Sequence, residues 1–131
     1  MSVSLFSSSD PGAPMLQGVN GSMCTVLDWI LTQKSWAIEY TSTNARIYRP
    51  STGNRYRLYV NHDSAVSNDA RAAVVRGCEN ATAASDAGLV DPFPLSSQLS
   101  NTNSNWLASI TTGTVNRNWY ALASETFIAL F

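Results

Sequence analysis

The chain has 131 residues, a formal net charge of −1 and only 13% charged residues. That length holds one domain and one real core. Two cysteines cannot staple a disulfide scaffold, no apolar run approaches a membrane span, and the slightly acidic balance excludes a general nucleic-acid coat.

Charged residues stand at about half the usual globular share of roughly 25%. Lys34 is the single lysine among eight basic residues. Interfaces deplete lysine and enrich arginine, so this composition suits a subunit covered by neighbours.

Residues 1–14, MSVSLFSSSDPGAP, lack a basic n-region and a long apolar stretch. They read as an extended N-terminal arm, not a secretory signal, ahead of a single α+β domain over residues 15–131. Leu5 and Phe6 are the large apolar groups of this arm and are expected to pin it to its own domain or to a neighbour. Residues 22–32 predict a helix, with Ser22 as N-cap and Asn20 as the alternative. Met23, Val26, Leu27, Ile30 and Leu31 share one face, Thr25 and Asp28 lie off it, and Trp29 is at its edge. A short helix with one apolar stripe must pack, and a sheet face is its natural partner.

From about residue 35 the period changes to two. Trp36, Ile38 and Tyr40 alternate with Ala37, Glu39 and Thr41, which predicts a half-buried strand. Ile47 and Tyr48 fall in a second strand ending at Pro50, and Pro50 to Asn54 are turn residues. Arg55 to Val60 form the clearest strand, with Tyr56, Leu58 and Val60 on one face and Arg55, Arg57 and Tyr59 on the other. Alanines at 70, 72 and 73 favour helix in the next segment, but Val74, Val75 and Cys78 favour a strand from near Arg71, which is the expectation. Residues 80–105, with Asp91-Pro92-Phe93-Pro94, read as a loop long enough to be functional or bound to something. Strands are expected again over Trp106–Thr112, Asn118–Ala123 and Thr126–Phe131, with a turn at Ser124-Glu125. The predicted fold is α+β, mainly antiparallel β-sheet or sandwich, with one short N-terminal helix.

Candidate chemistry is sparse. His62 and Asp63 are adjacent on a strand end and point to opposite faces, so they read as a polar strand terminus. Cys24 and Cys78 with one histidine make no recognisable zinc set; both read as buried free thiols, with a disulfide between them as the open alternative. Glu39, Glu79, Asp28 and Asp91 show no spacing that selects an acid pair. No phosphate-binding loop and no nucleophile elbow occurs. The Asn20-Gly21-Ser22 and Asn80-Ala81-Thr82 sequons read as accidental. No catalytic residue, metal, cofactor or small-molecule substrate is expected.

The arginines are concentrated instead. Arg46, Arg49, Arg55, Arg57, Arg71 and Arg76 lie close together, with Tyr48, Tyr56 and Tyr59 interleaved. Arginine with aromatics on a sheet is used for single-stranded nucleic acid, but the acidic balance and the scarcity of lysine argue against that partner. The reading is pairing with carboxylates on a neighbouring strand or subunit. Arg49 and Arg55 flank the turn, and Arg55, Arg57 and Tyr59 form a stripe with few intramolecular acids in prospect, so a subunit contact is expected there. The expected assembly contacts are Leu5, Phe6, Arg49, Arg55, Arg57, Tyr59, Phe93 and Phe131.

The segment Asp10-Pro11-Gly12-Ala13-Pro14-Met15-Leu16-Gln17-Gly18, then Gly21-Ser22 and the Leu27-Asp28 helix, resembles the opening of structural proteins of tailed bacteriophages and prophages. Arg46-Ile47-Tyr48-Arg49 and Thr52-Gly53-Asn54-Arg55-Tyr56-Arg57-Leu58 resemble their arginine-rich hairpin. Arg76-Gly77-Cys78-Glu79, Phe93-Pro94 and Trp119-Tyr120 continue in the same order. The resemblance implies a non-enzymatic virion protein assembled in the host bacterial cytoplasm, with copies of itself and other virion proteins as partners. It favours a tail, neck or baseplate position. Capsid decoration and a receptor- or glycan-binding module are the alternatives, and no catalytic residue is implied.

Overall fold

The structure, a computed structural model, describes residues 2–98 and 105–131. The last part of the loop expected over residues 80–105 lies outside the described residues. The fold is mainly antiparallel sheet with one helix of more than a single turn. Strands β1 (Ser4–Ser7), β10 (Tyr120–Ala123) and β11 (Ile128–Leu130) form a small sheet in the order β1-β10-β11. Strands β2 (Leu16–Gly18) and β9 (Gly113–Arg117) pair with each other. The large sheet runs β3 (Ala37–Thr41), β4 (Ala45–Arg49), β5 (Arg57–Asn61), β6 (Ala72–Ala81) and β7 (Leu89–Phe93). Strand β8 (Asn105–Leu107) joins this sheet beside β6.

Helix α1 (Ser22–Thr32) buries Met23, Cys24, Val26, Leu27, Ile30 and Leu31. One core cluster gathers these with Tyr48, Val60, Ala73 and Val75 of the large sheet and with Phe6, Trp119, Ala121 and Ala123 from the small-sheet side. The helix is therefore covered from two directions, which is why its buried face is wider than a single stripe. Leu27→Ala is expected to cost about 2–5 kcal/mol, the range for a buried leucine truncated without full collapse. A urea midpoint equal to that of the parent protein would show that this face is not core.

The start of α1 differs from expectation. Ser22 is the first helical residue and is not the cap; Gly21 precedes it with φ 82°. The Ser22 hydroxyl accepts from the Gln17 N–H at 2.8 Å, and the Met23 N–H donates to Nδ1 of His62 at 2.9 Å. A side chain from the end of β5 thus takes the place of a local cap. At the other end the chain turns through Ser35, φ 63°, and the Trp36 N–H closes on the Leu31 carbonyl at 3.0 Å.

The extended N-terminal arm is pinned to its own domain, one of the two outcomes expected of Leu5 and Phe6: β1 lies antiparallel to β10, with Leu5 opposite Leu122 and Phe6 opposite Ala121. Other expectations are corrected. Strand β3 is not half-buried; it is an edge strand with Ile38 and Tyr40 exposed. A one-turn helix α2 (Ser64–Ser67), capped by the Asp63 carboxylate, precedes β6, which supplies the strand expected from near Arg71. Strand β7 lies inside the expected loop. The strand expected over Trp106–Thr112 stops at Leu107, because the Ala108 and Ser109 N–H groups both turn to the Arg71 carbonyl.

Candidate assembly surface

The arginines sit on both faces of the large sheet. Across β4, β5 and β6, the register sets Ile47 opposite Tyr59, Tyr59 opposite Arg76, and Arg57 opposite Cys78, so these side chains share the face away from α1. That face is not open. Ala45, Ile47, Tyr59, Val74, Cys78 and Ala81 form a second buried cluster, and Ala84 and Leu89 pack on it from the segment that follows β6. Tyr59 is fully buried, which overturns its expected role as an exposed contact. Alternation tells which residues share a face; it does not tell which face the chain later covers.

Glu39 lies at a register shift in β3 and reaches over this face. Its carboxylate accepts from Arg57 twice, Nε to Oε2 at 3.1 Å and Nη2 to Oε1 at 3.3 Å. Arg57 Nη1 also donates to the Glu79 carbonyl at 2.8 Å, so one guanidinium ties β3, β5 and β6 together. Arg49 shares the same carboxylate more loosely, at 3.7 Å. Arg46 pairs with Asp28 at 3.2 Å, Arg76 with Asp86 at 3.2 Å and Arg71 with Asp69 at 2.6 Å. The expected shortage of intramolecular acids is thus corrected. Among the described arginines, only Arg55 and Arg117 have no carboxylate partner. Arg55 is exposed, has φ 59° and lies outside β5.

Arg57 therefore braces its own domain. Glu39→Gln is expected to cost about 1–3 kcal/mol, since a carboxylate holding a partly buried guanidinium is lost. Arg49→Ala should stay within about 1 kcal/mol, as a half-exposed pair does. Urea unfolding of the two variants side by side checks this order, and an Arg49 loss equal to the Glu39 loss would contradict it.

Burial pushes the Cys24 thiol up to about 11 and raises that of Cys78 as well. Both are free, and they lie in the two separate clusters on opposite sides of the large sheet. Neither is the exposed low-pKa thiol that redox chemistry needs. His62 is fully buried between α1 and the Ala70 carbonyl. Among the described residues, no three of His, Cys, Asp and Glu gather as metal ligands, and no helix is long and apolar enough to cross a membrane.

The remaining expected contacts lie apart from the arginines. Phe6 is buried, its ring 5.9 Å from Trp29 in an edge-on pair, while Leu5 is 68% exposed. Phe93 lies over Gly77, where any Cβ would overlap its ring, and stands edge-on to Tyr56 at 5.5 Å. Phe131 is 73% exposed. It borders an apolar groove of about 240 Å³ lined also by Leu16, Met23, Trp106, Leu107 and Leu130. A second depression of about 200 Å³ continues past Leu16, Leu107 and Phe131 to Ile110 and Arg117. Leu107 and Ile110 are 62% and 69% exposed. Sequence reading placed both in one regular strand and so missed them as a surface. The available signal was Ile110, a large apolar residue directly before the Thr111-Thr112-Gly113 turn.

Compared with protein-family models, curated proteins and solved structures, the chain matches none.

Proposed function

We propose that the protein is a non-enzymatic structural component of a tailed-phage virion, present in several copies and placed in the tail, neck or baseplate. The observation that carries the reading is the apolar surface around Leu107, Ile110 and Phe131, each more than three-fifths exposed. Isolated monomers rarely present such a groove, whereas subunits bury it against a neighbour. The low charge and the single lysine support the same reading, because little of this surface is built to face water. The Asp10–Gly18 segment and the Arg46–Leu58 hairpin support the phage assignment through their resemblance to virion proteins. The mechanism is assembly: apolar grooves and strand edges close between subunits, while the ion-paired arginines keep each sheet rigid.

Gold-labelled antibody against the protein, applied to purified phage particles, tests this reading. Labelling at the tail or neck is expected. Particles that carry no label, from a lysate in which the protein is abundant, would overturn it.

A further inference from the structure

The small sheet turns only one face to α1. Phe6, Ala121 and Leu130 stand in one row across it and pack toward the core. Leu5, Leu122 and Ala129 are set opposite one another in the adjacent row, and so lie on the face turned away from α1. Ser7, Tyr120 and Phe131 make a second row of that outer face; Tyr120 and Phe131 exchange backbone hydrogen bonds of 3.0 and 2.8 Å.

This outer face is apolar and open. Leu5 is two-thirds exposed. Tyr120, Phe131 and Phe127, which lies two residues before Ala129, are 57%, 73% and 45% exposed. At these exposures the three rings present about 350 Å². With Val3, Leu5 and Leu122, also exposed, the face approaches the roughly 600 Å² per partner at which specific interfaces begin. The charged groups beside it stand at its rim: Asp10 next to Ser7, Lys34 next to Ser4, and Glu125 in the β10–β11 turn. Asp10 also closes the strand edge at that corner. Its carboxylate accepts from the Ser7 N–H at 2.8 Å, and its own N–H donates to the Ser7 carbonyl at 3.1 Å. A neighbour is thereby offered the face of this sheet and not a free edge at Ser7.

We propose that two copies of the chain pack this face against itself, about a two-fold axis that lies between the two sheets and runs along β10. The inference rests on the reading of the protein as an assembling subunit and names one of its contacts. An axis so placed lays each β1 over the other copy's β11 and sets each β10 on its own counterpart. Leu5 then stands over Ala129, and Phe131 over Ser7, a large side chain on a small one in both rows. Leu122 and Tyr120 meet their own copies at the centre. The two rows are uncharged, so no like charges are brought together there. Every contact off the axis forms twice, which is the self-complementary condition for a closed dimer of packed sheets. A foreign partner would not require the two sides of one face to match each other in this way.

Sedimentation equilibrium of the whole chain tests the contact, with circular dichroism to confirm that each variant is folded. The parent protein is expected to be a dimer. Leu122→Glu and Leu122→Lys should each weaken dimerisation by roughly a hundredfold or more, because each sets like charges together on the axis. An equimolar mixture of the two should dimerise again, since a mixed dimer joins opposite charges at that point. Ala129→Leu should weaken the dimer by roughly tenfold or more through overpacking. Adding Leu5→Ala to the same chain should restore much of the loss, because large and small have changed places. Leu5→Lys, at the most exposed position of β1, should also lose the dimer, and it keeps the test valid if the central reversals unfold the chain. A monomeric parent protein, a dimer untouched by these substitutions, or folded Leu122 variants that stay monomeric when mixed would each overturn the proposal. Particle labelling reads the virion assignment separately. Labelled particles with a monomeric protein in solution sink this contact alone, and a dimer with unlabelled particles sinks the virion assignment alone.

Discussion

His62→Ala is expected to destabilise the fold by about 3–5 kcal/mol. The ring is fully buried and bonded at both nitrogens: Nδ1 accepts from the Met23 N–H at 2.9 Å, and Nε2 donates to the Ala70 carbonyl at 2.8 Å. An acceptor at Nδ1 fixes the neutral ring with its proton on Nε2. Alanine keeps the backbone bonds of residue 62 but leaves a helix N–H and a loop carbonyl without partners, and a cavity between them. The same geometry sets the response to acid. Burial holds the imidazole below its ordinary value, against the opposing pull of the Ala70 carbonyl and the Asp63 carboxylate. The unfolded chain therefore takes up a proton before the folded one. The ring's contribution is complete above about pH 6.5 and declines as pH falls below that, by up to about 1.4 kcal/mol per pH unit until the folded ring also protonates. Urea midpoints at pH 7.5 and pH 5.5 check this. The parent protein should lose stability between them, and the alanine variant should lose much less. Equal losses in both would contradict the assignment.

Trp119→Ala is expected to cost a similar amount, about 3–5 kcal/mol, and to act on the N-terminal strand. Trp119 is fully buried and stands edge-on to Trp29 at 5.9 Å. Its Nε1 donates to the Pro14 carbonyl at 2.8 Å, and its backbone N–H to the Ser8 hydroxyl at 3.2 Å. Phe6 meets the same Trp29 from β1. This chain of rings is what turns a serine-rich arm into part of the domain. Trp119→Phe keeps most of the packing and loses the Pro14 bond, so about 1–2 kcal/mol is expected for it. Amide exchange of residues 5–7 should quicken strongly in the alanine variant. Unchanged protection there would show that β1 is held by its pairing to β10 alone.

How much of this was legible in the sequence depends on how local the cause is. The α1 stripe and the strands around Ile47, Val60 and Val75 follow from spacing within a few residues, and they were readable. Strand β9, Gly-Thr-Val-Asn-Arg, is exposed at four of five positions and carries no period. It pairs with β2 partly because Gly18 has no Cβ to overlap the Thr111 carbonyl, which no local rule reveals. In β7, the left-handed Asp91 and Pro92 look like loop punctuation, yet they sit on an edge strand where a lost donor is tolerated. At the site, the clustering of arginines was plain, but their acids were not. Arg57 finds Glu39 two strands away across the sheet, and His62 caps a helix whose first turn lies 39 residues earlier. Such long-range partners are fixed by topology, which the alternation of side chains does not encode.

Counting copies of this chain per particle, by quantitative mass spectrometry of purified virions against an isotope-labelled standard, tests the assembly account most directly. A fixed, symmetric number of copies is expected, about three to twelve for a neck or baseplate position, with hundreds marking a tube or capsid instead. A yield far below one copy per particle, falling further with each round of purification, would contradict the account.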